Sequence, residues 1–88
     1  MKRDEPWRPR VRASAVLRYD NARKVHVLLL PERVVVLHGA GRAVLERCDG
    51  SRTVEEIADT FTGEVRSAQA RREITSFLDR LHAEGCLR

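Results

Sequence analysis

Long apolar runs and paired cysteines are what this 88-residue chain lacks, and each absence removes a class of function. Its apolar stretches, such as Val27-Leu28-Leu29-Leu30 and Val34-Val35-Val36-Leu37, have the length of a strand. A membrane-spanning helix needs about 20 apolar residues in a row, so no span is expected. The two cysteines, Cys48 and Cys86, form no CxxC pair. They suggest neither a metal site nor, in the cytoplasm, a disulfide. Cys48 shares a helical face with Val44 and reads as a small buried thiol. His26, His38 and His82 lie far apart, with no carboxylate or cysteine at ligand spacing. No serine stands in a G-x-S-x-G turn. Gly39-Ala40-Gly41 lacks the third glycine and the βαβ setting of a dinucleotide loop. The expectation is no enzyme, no metal and no bound cofactor. Met1–Pro6 has no apolar core of a signal peptide, which leaves cytoplasm as the default compartment.

What is present fits one small domain. The chain is 42% hydrophobic and 34% charged, enough for a single modest core under a well-solvated surface. The net charge of +4 raises nucleic acid as a partner. The excess is spread out, however: Glu55, Glu56, Asp59, Glu73 and Asp79 dilute the helices.

The chain is organised around Cys48-Asp49-Gly50-Ser51-Arg52-Thr53-Val54-Glu55-Glu56-Ile57, which reads as a helix end, a tight turn and a helix start. Gly50 can take the positive φ that closes a helix. Thr53 and Glu56 have the spacing of a capping box. Val54, Ile57, Ala58 and Phe61 recur at the spacing of one buried helical face.

In chain order, residues 1–12 read as a flexible basic arm, because Pro6 and Pro9 exclude regular pairing. Trp7 is expected to fold back over an apolar patch. Residues 13–88 form the domain. From Ala13 to Asp20 the pattern alternates with period two, and Val25–Leu30 and Arg33–Leu37 follow after short polar turns. Such loops imply an antiparallel meander. Three helices follow: Ala40–Cys48, with Ala40, Val44, Leu45 and Cys48 inward; Thr53–Phe61, broken by Thr62-Gly63; and Arg66–Glu84, with Ile74, Phe77, Leu78 and Leu81 inward and Gly85 as its stop. The third strand is apolar on both faces. Its free surface therefore needs a cover: the arm, a second copy of the chain, or an extended peptide added as a strand.

Tyr19-Asp20, the run His26–Val35 with its Leu30-Pro31-Glu32 turn, the run Leu45–Ile57, and Phe77-Leu78 with Leu81 before Gly85 resemble the PqqD family over about residues 13–88. That resemblance implies an α+β, winged-helix-like unit of three antiparallel strands followed by three helices. It implies a peptide chaperone of pyrroloquinoline quinone biosynthesis that binds the precursor peptide PqqA and presents it to the radical S-adenosylmethionine enzyme PqqE. The iron–sulfur clusters would belong to that enzyme. In related recognition domains the peptide adds beside the third strand, in a groove walled by the last helix. Here that maps onto Val34, Val35, Val36 and Leu37, and onto Arg71, Arg72, Thr75, Leu78 and Asp79. One departure stands out: His38-Gly39-Ala40-Gly41 replaces the Asn-x-Ser/Thr-Ala that caps the first helix in the family.

Two other readings use the same features. A winged-helix DNA-binding protein would suit the helix-turn-helix and the positive charge, yet its reading helix would open with Glu55 and Glu56, which phosphate repels. Arg66, Gln69, Arg71 and Arg72 on the last helix weigh the other way. A homodimerising module would use the exposed strand edge.

Overall fold

The computed structural model describes residues 6–61 and 68–88. Strands β1 (Val16–Asp20), β2 (Val25–Leu29) and β3 (Val34–Leu37) form an antiparallel sheet in the order β1-β2-β3. Helices α1 (Gly41–Leu45), α2 (Val54–Asp59) and α3 (Ala68–Ala83) follow. This is the expected α+β architecture, with strands first and helices after.

The register sorts the side chains. Leu17, Leu28 and Val35 lie opposite one another, as do Tyr19, His26 and Leu37. Because cross-strand neighbours share a face, these residues form the inner face. Leu28 and Leu37 join the helices in the core with Val44, Leu45, Ile57, Ile74, Leu78, Leu81 and Leu87. The other face carries the rows Val16, Leu29, Val34 and Arg18, Val27, Val36.

Both turns of the meander follow from local chemistry. The Asp20 carboxylate accepts from the backbone N–H of Arg23 and Ala22, at 3.1 and 2.9 Å, and from the Arg23 guanidinium; the Arg23 bonds first, then that from Ala22, hold its pKa below the usual carboxylate range. Pro31-Glu32 is a two-residue connection. Leu30 N–H donates to Arg33 O at 2.9 Å and Arg33 N–H returns to Leu30 O at 3.3 Å.

The expected capping box is formed. Thr53 Oγ1 accepts from Glu56 N–H at 3.1 Å, and the Glu56 carboxylate accepts from Thr53 N–H at 2.8 Å. Thr53→Ala is expected to cost ~1 kcal/mol, read as a lower denaturant midpoint at constant slope. Helix α3 ends as expected. Gly85 has φ +83°, Cys86 N–H donates to Leu81 O at 2.9 Å and Gly85 N–H to His82 O at 3.1 Å, which is a Schellman pattern. Helix α1 has no side-chain cap, in keeping with its His38-Gly39-Ala40-Gly41 start.

Several expectations are corrected. Ala13 and Ser14 form a turn, with Ala15 N–H donating to Arg12 O at 2.9 Å, so β1 begins at Val16. Tyr19, at the sheet corner, is 45% exposed. Ala40 faces solvent. Gly41 is buried in its place, because helix α1 starts one residue later than the apolar spacing suggested. The Thr62-Gly63 break and the Arg66 helix start lie outside the described residues.

The largest correction concerns the arm. Residues 9–12 are a paired filament rather than a free tail. On one side Arg10 N–H donates to Arg88 O, Arg88 N–H to Arg10 O and Arg12 N–H to Cys86 O. On the other, Val11 N–H donates to Cys48 O, and Gly50 N–H to Pro9 O. Pro9 lacks an N–H but its carbonyl is used, so proline does not prevent this pairing. Trp7 folds back as expected. Its ring stacks on His82 at 4.4 Å between centroids, and its Nε1–H donates to Arg88 O at 2.9 Å. The turn at Gly50 is fitted to the arm: φ is +87°, and a Cβ there would lie 2.9 Å from Arg10 Nε. Residues 1–5 lie outside the described residues.

Candidate functional site

Among the described residues strand β3 pairs with β2 on one side only, so its other side is a free sheet edge. Its backbone polarity follows from the turn. Leu30 and Arg33 exchange both hydrogen bonds, and antiparallel pairs alternate between bonded and non-bonded. With Leu28 opposite Val35 and His26 opposite Leu37, the N–H and C=O of Val35 and Leu37 point to β2. Those of Val34 and Val36 point outward. The free edge therefore offers two donors and two acceptors at a two-residue spacing.

Helix α3 runs beside this edge in the opposite direction. At the start of β3, Arg33 Nη2 donates to Glu84 O at 2.8 Å, with Nη1 3.5 Å from Glu84 Oε1. At its end, a Cβ on Gly41 would stand 3.2 Å from Phe77 Cζ and 3.5 Å from Leu37 Cβ. From Glu84 to Phe77 the helix rises about 10 Å, and from Arg33 to Leu37 the strand spans about 13 Å, so the two elements keep pace. The helix wall nearest β3 is thus Phe77, Arg80 and Glu84, at steps of three and four. The Arg80 guanidinium lies 5.8 Å from the Phe77 ring centroid. Beyond Leu37 the space opens into a cleft of about 380 Å³ lined in part by His38, Gly41, Val44, Glu73, Ile74 and Phe77.

The structure brings together only part of the expected site. Val34 and Val36 are 44% and 37% exposed on the strand edge, while Leu37 is buried and Val35 half-buried on the inner face. Leu78 is fully buried in the core and floors no open groove, which corrects that expectation. Arg71 and Thr75 face helix α2: Arg71 pairs with Asp59, and both residues line a crevice with Val54, Glu55 and Ala58. Arg72 and Asp79 are exposed, with Arg72 lining that same crevice. The apolar stripe of Ile74, Leu78 and Leu81 has two flanks. Of the expected helix residues, Arg71 and Thr75 sit on the flank towards α2, Arg72 lines that crevice and also one shared with Phe77 and Arg80, and β3 meets the other flank. Sequence spacing alone does not single out Phe77, Arg80 and Glu84 as the wall. The available signal was that only one flank carries a large apolar side chain, Phe77.

Charges around the site are exposed and paired locally. Arg12 forms a two-pronged bond to Glu32, at 2.9 and 3.1 Å, which holds the Glu32 carboxyl below its usual range. Arg8 lies 3.5 Å from Glu56. The opening of α2 keeps Glu55 and Glu56 at its first turn, an arrangement that suits the helix dipole and not a phosphate backbone. Burial pushes the Cys48 thiol up to about 12, with the Asp49 charge a smaller cause. Cys86 is raised as well, chiefly by burial. Burial therefore disfavours the thiolate at both cysteines. Among the described residues no group of histidine, cysteine and carboxylate side chains could hold a metal ion, and no helix is long and apolar enough to cross a membrane.

Comparison with known proteins shows the family and the fold. The family model for coenzyme PQQ synthesis protein D (PqqD) matches residues 25–87. The chain is 39% identical over 83 residues to a PqqA binding protein of Xanthomonas axonopodis pv. citri, covering 92% of this chain and 90% of that one. A PqqA binding protein of Rhodopseudomonas palustris is 40% identical over 57 residues, covering 65% of this chain and 56% of that one. Among solved structures, the solution structure of the PqqD truncation of Methylobacterium extorquens PqqCD, a stand-alone recognition element for ribosomally synthesised, modified peptides, gives a TM-score of 0.73 at 34% identity. It covers 91% of this chain and 87% of that one. The crystal structure of PqqD from Xanthomonas campestris gives 0.58 at 33% identity, covering 100% and 98%. Matched along most of its length by these proteins, in sequence and in fold, the chain belongs to the PqqD family of coenzyme PQQ synthesis, a non-catalytic family.

Proposed function

We propose that this chain is a peptide chaperone that binds the precursor peptide PqqA as an added strand on β3 and presents it to the radical S-adenosylmethionine enzyme PqqE. The observation that carries the reading is the free edge of β3, with the outward N–H and C=O groups of Val34 and Val36 facing a helix wall. Relatives named PqqA binding proteins supply the peptide's identity. Main-chain pairing contributes affinity that depends little on peptide sequence, and side-chain contacts add selectivity. Phe77 offers an apolar surface, Arg80 a cation and Glu84 an anion, so the groove suits a peptide with apolar and charged residues at a two-residue period. Exposed ion pairs contribute only ~0–1 kcal/mol each, so strand pairing and Phe77 dominate.

Titration of the isotopically labelled chain with PqqA is the test. The largest amide shifts are expected at Val34 and Val36 and from Phe77 to Glu84, with smaller ones in the 54–59 helix. Shifts centred on that helix, with β3 unmoved, would refute the site.

A further inference from the structure

Gly41 is a glycine that backbone conformation does not explain. Gly39, Gly50 and Gly85 have positive φ, where other residues are strained. Gly41 opens helix α1 with a φ outside that region, and it is buried. Alanine would suit the helix better, because glycine gives up more chain entropy on folding. The reason for glycine is space. A Cβ here would meet Leu37 Cβ at 3.5 Å, an ordinary contact, and Phe77 Cζ at 3.2 Å, which is too close unless the ring moves. The bare Cα of Gly41 is therefore the seat of the Phe77 ring.

Where the ring stands matters because of what opens beside it. Phe77 lines both the cleft over Gly41, Val44 and Ile74 and a crevice shared with Arg72, Ser76 and Arg80, so it forms the partition between them. Leu37 directs its N–H and C=O to β2. A strand added to β3 would thus set one residue opposite Leu37 in a pair without hydrogen bonds, where side chains come closest. Its side chain continues the inner-face row of Tyr19, His26 and Leu37 and arrives at the Phe77 ring and the mouth of the cleft. At about 380 Å³ the cleft has room for one large side chain, and its described lining is apolar apart from His38 and Glu73. We propose that Gly41 is a positioning residue for peptide selectivity. By seating Phe77 against α1, it keeps the cleft open to one large apolar side chain of the bound peptide, the one opposite Leu37. This rests on the strand-addition reading above. A methyl group at position 41 pushes the ring off its seat by a few tenths of an ångström and narrows the mouth of the cleft.

Gly41→Ala separates selectivity from packing. A glycine that served the fold alone would alter stability and leave the affinity of the folded chain untouched. Circular dichroism and urea unfolding should show a folded variant with a midpoint close to or above that of the unaltered chain. Calorimetry should show PqqA affinity reduced by about five-fold or more. In a Phe77→Leu background, where no ring reaches position 41, the same substitution should change affinity by less than about two-fold. An alanine series through PqqA should find one large apolar position whose replacement weakens binding to the unaltered chain. The peptide altered there should bind the unaltered and Gly41→Ala chains equally. Normal PqqA affinity in Gly41→Ala would overturn the proposal, as would a Gly41→Ala chain that does not fold. An equal loss in both backgrounds, or a loss uniform across the peptide series, would overturn it too. If PqqA fails to bind the unaltered chain, the strand-addition reading itself falls, a result distinct from any change confined to the variants.

Discussion

Leu78→Ala should destabilise the fold by ~2–5 kcal/mol, the cost of removing a buried leucine and leaving a cavity. Small domains are held by only ~5–15 kcal/mol, so the variant loses a large share of its stability. Leu78 is fully buried with Ile57, Ile74 and Leu81 and touches no open groove. Urea unfolding should show a much lower midpoint at unchanged slope. Peptide affinity, measured where the variant is still folded, should be nearly normal. Phe77→Ala is the counterpart. Its ring is half-buried against Leu37 and Gly41, so it should cost less stability and more affinity. A Leu78→Ala protein of normal stability but impaired peptide binding would contradict this placement.

Proline scanning of β3 should split by parity. Val35→Pro removes the donor that pairs with Leu28 and breaks the ladder at the centre of the sheet, so the chain should fail to fold or lose ~3 kcal/mol or more. Val36→Pro removes a donor aimed at the free edge, a position where an edge strand tolerates proline. The chain should fold, and its affinity for PqqA should fall by ten-fold or more. Thermal unfolding and calorimetry on the two proteins read the two effects separately. If Val36→Pro binds PqqA normally, the peptide does not pair with β3.

Much of this was legible in the residues themselves. The period-two strands, the Pro31-Glu32 turn, the Thr53–Glu56 capping box and the Gly85 stop are local features, and local features are set by neighbouring residues. The groove wall was not legible, because helix α3 offers two flanks around the Ile74–Leu78–Leu81 stripe and only the path of the whole chain decides which one meets β3. Arg71 and Thr75 suit the chemistry but sit on the α2 side, with Arg71 held by Asp59, while Arg72 lines that crevice and also one with Phe77 and Arg80. The pairing of the arm is not legible in sequence for a similar reason. Prolines and charges around residues 6–12 resemble a solvated tail, and the partners that order it, Cys48, Gly50, Cys86 and Arg88, are remote in sequence.

That remoteness bears on how the chain folds. Trp7 and Arg88 meet across a sequence separation of 81, almost the full length of the chain. The entropy of closing a loop rises with its length, and contacts so distant bring no return until the intervening segments are in place. The meander and the helix hairpin can form from nearby partners. The stitch between the arm, the Cys48–Gly50 turn and the Cys86–Arg88 tail is then expected to close after them. It works as a latch on the finished domain, holding the two ends of the chain together on the side formed by the turn and the tail.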